Sequence, residues 1–264
     1  MTSRASVPPS ANDNATYDGR TAHALAALLD LPGVLVFDEV GSTLDVAHAV
    51  GERGEPAGTL VLADAQTAGR GRMGRSWRSD PGAGIWLTLL ERPAGAESLG
   101  VLALRLALAL APALERFAGA ATRLKWPNDV YVGERKLAGV LVEARWRGPR
   151  LDWVAIGVGI NVRPPAAFDG AGLSPAAQRV DVLAAVVPAL RAAARATGPL
   201  VDDELARYAR RDLALGRGCT EPATGIVAGI RADGALLVDT ATGRVACHAG
   251  SLVLAPANSL GSRP

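Results

Sequence analysis

This sequence predicts an α+β main domain, built on a mainly antiparallel sheet with packed helices and followed by a small all-β barrel. Three observations carry that. Apolar runs of strand length are interleaved with helical segments up to about residue 212. Two long apolar segments, 136–146 and 151–162, flank Arg147-Gly148-Pro149-Arg150, the turn of an antiparallel hairpin. After Gly216 the helical pattern stops, and short alternating strands separated by Gly and Asp run to about Ala255.

The elements follow in order. Residues 1–20 are polar, with Pro8, Pro9 and several Ser and Asn, and read as a disordered tail. A short Ala/Leu helix spans 21–30 and a strand 34–40. A second helix spans 43–53, with Ser42 or Thr43 able to act as its N-cap. Strands are expected at 59–63 and 84–90. The strongest helix covers 97–117, with Pro112 placed to kink it. Residues 124–132 form strand and turn, and the long hairpin comes next. Two Ala-rich helices fall near 178–196 and 200–212. The barrel strands include Gly225-Ile226-Val227, Ala235-Leu236-Leu237-Val238 and Val245-Ala246-Cys247. The expected organisation is a tail at 1–20, a main domain at 21–215, a barrel at 216–256 and a second disordered tail at 257–264.

At 264 residues, 49% hydrophobic and 20% charged, the chain is long and apolar enough to bury a real core. A net charge of +2 is a weak footprint for a nucleic-acid binder, so no nucleic acid is expected as partner. Cys219 and Cys247 show no metal-ligand spacing and make no disulfide framework, which suits a reduced compartment and buried structural thiols. No apolar h-region opens the chain. The longest apolar stretch, 99–114, is interrupted by Arg105 and falls short of the ~18 apolar residues of a spanning helix. The expectation is a cytoplasmic protein with no membrane partner. His23, His48 and His248 have no suggestive neighbours in sequence, and no Ser/His/Asp triad is credible.

The most informative segment is Gly69-Arg70-Gly71-Arg72-Met73-Gly74-Arg75-Ser76-Trp77, with no carboxylate before Asp80. Glycines leave backbone N–H groups open and allow close approach, and arginines offer bidentate donors to phosphate and carboxylate oxygens. The segment also satisfies G-x-G-x-x-G. That fingerprint requires a helix to open there, and Trp77, Asp80-Pro81-Gly82 and Gly84 cannot sustain one. A solvated surface loop and an RNA-binding Arg/Gly segment are the alternatives at this point.

Other segments are ambiguous singly. Lys125-Trp126-Pro127-Asn128-Asp129 reads as a rigid turn or as ligand contacts. Lys136 opens an apolar strand and could simply be solvated. Gly157-Val158-Gly159-Ile160-Asn161-Val162 has strand glycines, a sign that a backbone or a ligand comes close. Ser42-Thr43 could be only a cap, and Gln66 only a loop residue.

In series, GRGRMGRSW, KWPNDV, KLAGVLVE and GVGINV closely resemble the catalytic motifs of the bacterial biotin–protein ligases (biotin–[acetyl-CoA-carboxylase] ligases), clearly over 34–162 and loosely over the barrel. The resemblance implies an α+β catalytic domain related to lipoate ligases, then an SH3-like barrel. It implies activation of biotin by ATP with Mg²⁺ to biotinyl-5'-AMP, then transfer to a lysine of a biotin carboxyl carrier protein or domain. It places Ser42, Thr43, Leu44 and Gln66 on biotin, and Arg70, Gly71 and Arg72 over its carboxylate. Lys136 falls between the carboxylate and the α-phosphate. Arg72, Arg75, Trp77 and Asn161 fall toward the adenylate, with Arg72 and Lys136 as the catalytic pair and no resident metal site. Family members often carry Asn after Ser-Thr. Leu44 stands here instead, so a contact at that position would be through the backbone.

A lipoate–protein ligase is the nearest rival, disfavoured by KWPND together with GRGRxGRxW. A DNA-binding biotin sensor is disfavoured by the lack of a helix-turn-helix pattern and by the low net charge. A non-catalytic biotin-binding module would not need arginines directed at phosphate. A homodimer stays open.

Overall fold

The structure is a computed structural model and describes residues 15–165 and 169–256. In chain order the elements are β1 (Thr16–Tyr17), β2 (Arg20–Thr21), α1 (Ala22–Leu29), β3 (Val34–Val40), α2 (Thr43–Glu52), β4 (Thr59–Gln66), β5 (Gly84–Glu91), α3 (Leu99–Ala118), β6 (Thr122–Lys125), β7 (Asp129–Val132), β8 (Arg135–Arg147), β9 (Arg150–Asn161), α4 (Arg179–Arg195), α5 (Asp202–Arg211), β10 (Gly218–Glu221), β11 (Gly225–Ile230), β12 (Leu236–Thr240), β13 (Gly243–Cys247) and β14 (Val253–Leu254).

Seven strands form one sheet in the order β3-β4-β5-β9-β8-β7-β6. Only β3 and β4 are parallel, because α2 carries the chain from one to the other. Every other neighbouring pair is antiparallel. The mainly antiparallel α+β expectation therefore holds. The long hairpin is the spine of the sheet, with β8 and β9 paired from Ala138↔Ile160 to Arg147↔Arg150.

Helices cover both faces of the sheet. One core joins α1, α3 and α4 to Leu60, Leu62, Ile85, Leu87, Val140 and Ile156. A second packs α2, through Leu44, Ala47 and Val50, on Val61, Ala63, Leu90, Trp153 and Ala155. The alternation of these two sets along β4 is the period of two that separates the faces of a strand. Helix α3 runs through Pro112 as one element. Its buried Arg105 is neutralised by Glu204 of α5 at 2.7 Å and donates to the carbonyls of Gly198 and Pro199, so its charge is not stranded in the core.

The C-terminal strands form a separate antiparallel sheet, β13-β12-β11-β10-β14, with the SH3-like character expected of the barrel. It is tied to the main body. Trp126 Nε1 donates to the Gly234 carbonyl at 2.9 Å, and Leu200 N donates to the Ala232 carbonyl at 2.8 Å. Cys219 is buried and Cys247 half-buried, both as free thiols, and burial pushes the Cys219 thiol up.

One expectation needs correcting. The expectation of disorder over 1–20 fails at 15–20, which are folded. Tyr17 is 1% exposed, and β1 pairs with β2. Asp18 and Gly19 both take positive φ, 49° and 75°, as a tight hairpin turn requires, and Asp-Gly is the sequence signal for one. The Arg179 guanidinium then sits 4.3 Å from the centre of the Tyr17 ring and pairs with Asp18 and Asp64. Residues 1–14, and the second tail expected at 257–264, lie outside the described residues.

Candidate active site

A cleft open to solvent lies above the middle of the large sheet. Ser42, Thr43, Leu44, Gln66, Arg70, Gly71, Arg72, Arg75, Trp77 and Lys136 all line it. Sequence separations of up to 94 residues are closed because the start of α2, the end of β4, the loop after it and the start of β8 meet at one place.

The inner end is polar and rigid. Ser42 caps α2 by accepting from Leu44 N at 3.3 Å, as expected of an N-cap. Gln66 Oε1 accepts from Thr43 N at 2.9 Å and from Thr43 Oγ1 at 3.1 Å, and Gln66 Nε2 donates to Ser79 Oγ at 2.7 Å. Thr88 Oγ1 donates to Thr43 Oγ1 at 2.8 Å. These bonds give a set of donors and acceptors with settled directions. The Leu44 N–H is already used by the cap, and its side chain packs toward Gly157.

The loop after β4 is not helical. Arg72–Gly74 makes a single 3-10 turn, with Met73 at φ 57°, which confirms that the fingerprint match lacks its helix. The loop closes on itself through Gly71 N to the Arg75 carbonyl at 2.7 Å and Trp77 N to the Gly69 carbonyl at 2.8 Å. Arg72 reaches across to the barrel. Its Nη2 donates to the Gly250 carbonyl at 3.3 Å, and its Nη1 approaches Asn128 Oδ1 at 3.5 Å.

The strand glycines have a visible purpose. A Cβ at Gly159 would lie 2.4 Å from Trp77 Cε2, and one at Gly139 would lie 3.1 Å from Trp77 Cζ3. The Trp77 indole lies on a floor that only glycine leaves open. Its other neighbours are Trp86, edge-on at 6.4 Å, and Lys136, with Nζ 5.0 Å from the ring centre.

The electrostatics are lopsided. Arg70, Arg72, Arg75, Lys125 and Lys136 line the cleft, and among the described residues Asp129 is the one carboxylate that does so. Burial pulls the Arg72 guanidinium below its ordinary value, and the Arg75 charge adds to that. Burial likewise pulls Lys125 down, with Lys136 and Arg75 contributing. Arg70 is paired with Asp45 and Glu143, and Lys136 with Asp129. Arg72, Arg75 and Lys125 make no ion pair among the described residues, and cations left so close together favour an anionic ligand.

Asn161 is placed differently. It is 3% exposed, does not line the cleft, and donates from Nδ2 to the Lys136 carbonyl at 3.2 Å. Ser251 and Leu252 of the barrel line the cleft, and nothing in their sequence marked them. His48, without company in sequence, meets Glu143 at 2.9 Å and Trp153 at 3.1 Å, partners 95 and 105 residues away. Among the described residues no group of three or more His, Cys, Asp or Glu is placed to hold a metal ion.

Comparison with known proteins agrees with the geometry. Residues 40–161 match the biotin/lipoate A/B protein ligase family. The biotin–[acetyl-CoA-carboxylase] ligase of Paracoccus denitrificans is 35% identical over 205 residues, covering 70% of this chain and 85% of the relative. The bifunctional ligase/repressor BirA of Bacillus spizizenii is 44% identical over 126 residues, covering 47% of this chain and 39% of the relative. The chain thus spans about two fifths of the length of the ligase/repressors it matches. The biotin protein ligase of Aquifex aeolicus, solved with biotin and ATP, superposes with a TM-score of 0.71 at 30% identity, over 84% of this chain and 98% of that one. Built on this fold and matched over 85% of the Paracoccus protein, the chain belongs to the biotin/lipoate A/B protein ligase family, among its biotin ligases.

Proposed function

We propose that the chain joins biotin to a lysine of a biotin carboxyl carrier protein or domain, through biotinyl-5'-AMP. The observation that carries this reading is the cleft itself, where Arg72, Arg75 and Lys125 make no ion pair among the described residues and stand with Lys136 beside the hydrogen-bonded cluster of Thr43 and Gln66. A neutral ring system with directed hydrogen-bonding groups suits the inner end, and a carboxylate meeting a polyphosphate suits the outer end.

In the first step a biotin carboxylate oxygen attacks the α-phosphorus of ATP, and pyrophosphate leaves with its electron pair. Both reactants are anions, so their repulsion must be offset. One cation at ~4 Å contributes about 4 kcal/mol at an effective dielectric near 20. Arg72 and Lys136 are assigned that role as the catalytic pair. In the second step the acceptor amine attacks the acyl carbon, gives up a proton and displaces AMP. No nucleophile from this chain is required.

Ser42, Thr43, Leu44 and Gln66 are assigned to the biotin ring system. Arg70 and Gly71 are assigned to its carboxylate end, Arg70 by holding the loop there because its guanidinium is already paired with Asp45 and Glu143, and Arg75 and Trp77 are assigned to the nucleotide. Asn161 is assigned a supporting role, holding the backbone of Lys136. Mg²⁺ fits here as part of the ATP substrate, since it is usually bound through substrate phosphates and one or two carboxylates. Asp129 is the carboxylate available in the cleft. The domains divide at about residue 216, and the protein works in the cytoplasm. Among the described residues no helix is long and apolar enough to cross a membrane.

The test is exchange of labelled pyrophosphate into ATP. Exchange that depends on biotin supports the reading, exchange with lipoate alone would move the chain to the lipoate branch, and no exchange with either would overturn it.

A further inference from the structure

Arg70 opens the anion loop, yet its guanidinium is spent on protein carboxylates. Nη1 lies 2.7 Å from Asp45 Oδ1 of α2, and Nη2 lies 3.3 Å from Glu143 Oε2 of β8. Burial works against that charge, but hydrogen bonds and attraction from Asp45 and Glu143 outweigh it and hold Arg70 above its ordinary value. Glu143 is itself engaged by His48, with Nε2 2.9 Å from Oε2. Behind His48 stands buried Trp153, whose Nε1 is 3.1 Å from His48 Nδ1. An indole N–H can only donate, so Nδ1 accepts and the ring proton sits on Nε2, where it donates to Glu143.

The chain of contacts therefore runs in one direction, from the core through His48 and Glu143 to Arg70. We propose that His48 and Glu143 are positioning residues, which anchor the base of the anion loop through Arg70 and set where Gly71 and Arg72 stand over the carboxylate end of the cleft. The proposal rests on the reading of the chain as a biotin ligase. Neither residue lines the cleft, so neither touches substrate. The anchor matters because it joins three parts of the site. Helix α2 carries Ser42 and Thr43 at its start, β8 carries Lys136, and Arg70 ties the loop to both. Within the loop, the Arg70↔Ser76 bridge and the Gly71–Arg75 bond pass that position on. The carboxyl of Glu143 is held below the ordinary range by the His48 hydrogen bond and by Arg70, as an anchor that must stay charged requires.

Loss of the anchor should weaken binding of biotin, because the chemistry itself is done by other groups. The full chain is compared with His48→Phe, Glu143→Gln and His48→Gln. One measurement is the rate of tryptic cleavage after the loop arginines, and another is pyrophosphate exchange as a function of biotin. The Phe and Glu143→Gln variants are expected to be cut about tenfold faster, and to need about tenfold more biotin at an almost unchanged kcat. His48→Gln should restore both, since its amide can donate to Glu143 and accept from Trp153 together.

Wild-type cleavage and biotin dependence in the Phe and Glu143→Gln variants would overturn the proposal, as would failure of His48→Gln to restore. If His48→Phe does not fold because Trp153 loses its acceptor, Glu143→Gln leaves that contact intact and decides alone. A parent protein without biotin-dependent exchange would defeat the functional reading, and the cleavage rates would still decide the anchor.

Discussion

Lys136 Nζ stands 2.7 Å from Asp129 Oδ1, at the point where β8 begins and β7 opens. At that distance one ammonium N–H can point at Oδ1, and the other two stay available to another partner. Lys136→Gln should lower biotin-dependent pyrophosphate exchange on the order of 10²-fold, the usual cost of removing one donor aimed at developing charge. Asp129→Asn keeps the lysine and loosens it, and should cost about tenfold. Both variants should remain folded by circular dichroism, since the site is a strand end. Near-normal exchange in Lys136→Gln would remove the lysine from the mechanism.

Gly159→Ala tests the floor under Trp77. The added Cβ would sit 2.4 Å from Cε2, so the indole must leave the sheet. An aromatic contact is worth ~0.5–1.5 kcal/mol, and the KM for ATP should rise by up to about tenfold. Initial rates against ATP at saturating biotin measure it. An unchanged KM for ATP would take Trp77 out of the nucleotide site.

Much of this site was legible because its parts are short local motifs. Ser42 as a cap, the non-helical loop from Gly69 and the close approach at Gly159 each follow from local chemistry, and the structure places them in one cleft. What stayed hidden was long-range. His48 gains its roles from Glu143 and Trp153, and Arg72 finds the Gly250 carbonyl 178 residues away. Pairings of that kind leave no local pattern. The motif that marks Asn161 does not show that its side chain bonds to the Lys136 carbonyl, a contact across 25 residues of sequence. The missed β1–β2 hairpin is a different kind of omission, since Asp18-Gly19 was a readable signal overshadowed by the polar composition around it.

Glu115 and Arg211 predict an acid-sensitive link between α3 and α5. Arg211 Nη2 donates to Glu115 Oε2 at 3.1 Å, and that bond leads in lowering the carboxyl from its ordinary 4.5. Because the folded value is depressed, the folded protein binds fewer protons near and below 4.5 than the unfolded chain does. The contribution is present above that pH and is lost as pH falls through the folded value. The melting temperature of Glu115→Gln should lie below that of the parent at pH 7, and the gap should close as pH drops below about 4.5. A gap that persists at the acid end would mean that packing, and not charge, is what Glu115 contributes.

Arg72 links the loop to the barrel and points into the cleft, which suggests that it retains the intermediate as well as helping to make it. Its guanidinium can leave the Gly250 carbonyl, a neutral acceptor at 3.3 Å, for a phosphate, which is the stronger partner. A mixed anhydride held under the loop is shielded from water and from stray amines. Arg72→Gly removes the charge and the tie to the barrel together, so Lys136 should still support some adenylate but the cleft should hold it poorly. The released biotinyl-5'-AMP would then acylate lysines on any protein present. Serum albumin added to the reaction, followed by detection of attached biotin, reads this directly. The variant should label albumin well above the parent while still showing measurable pyrophosphate exchange. Loss of exchange altogether would make Arg72 a residue of the first chemical step only, and labelling no greater than the parent's would place retention of the intermediate elsewhere in the loop.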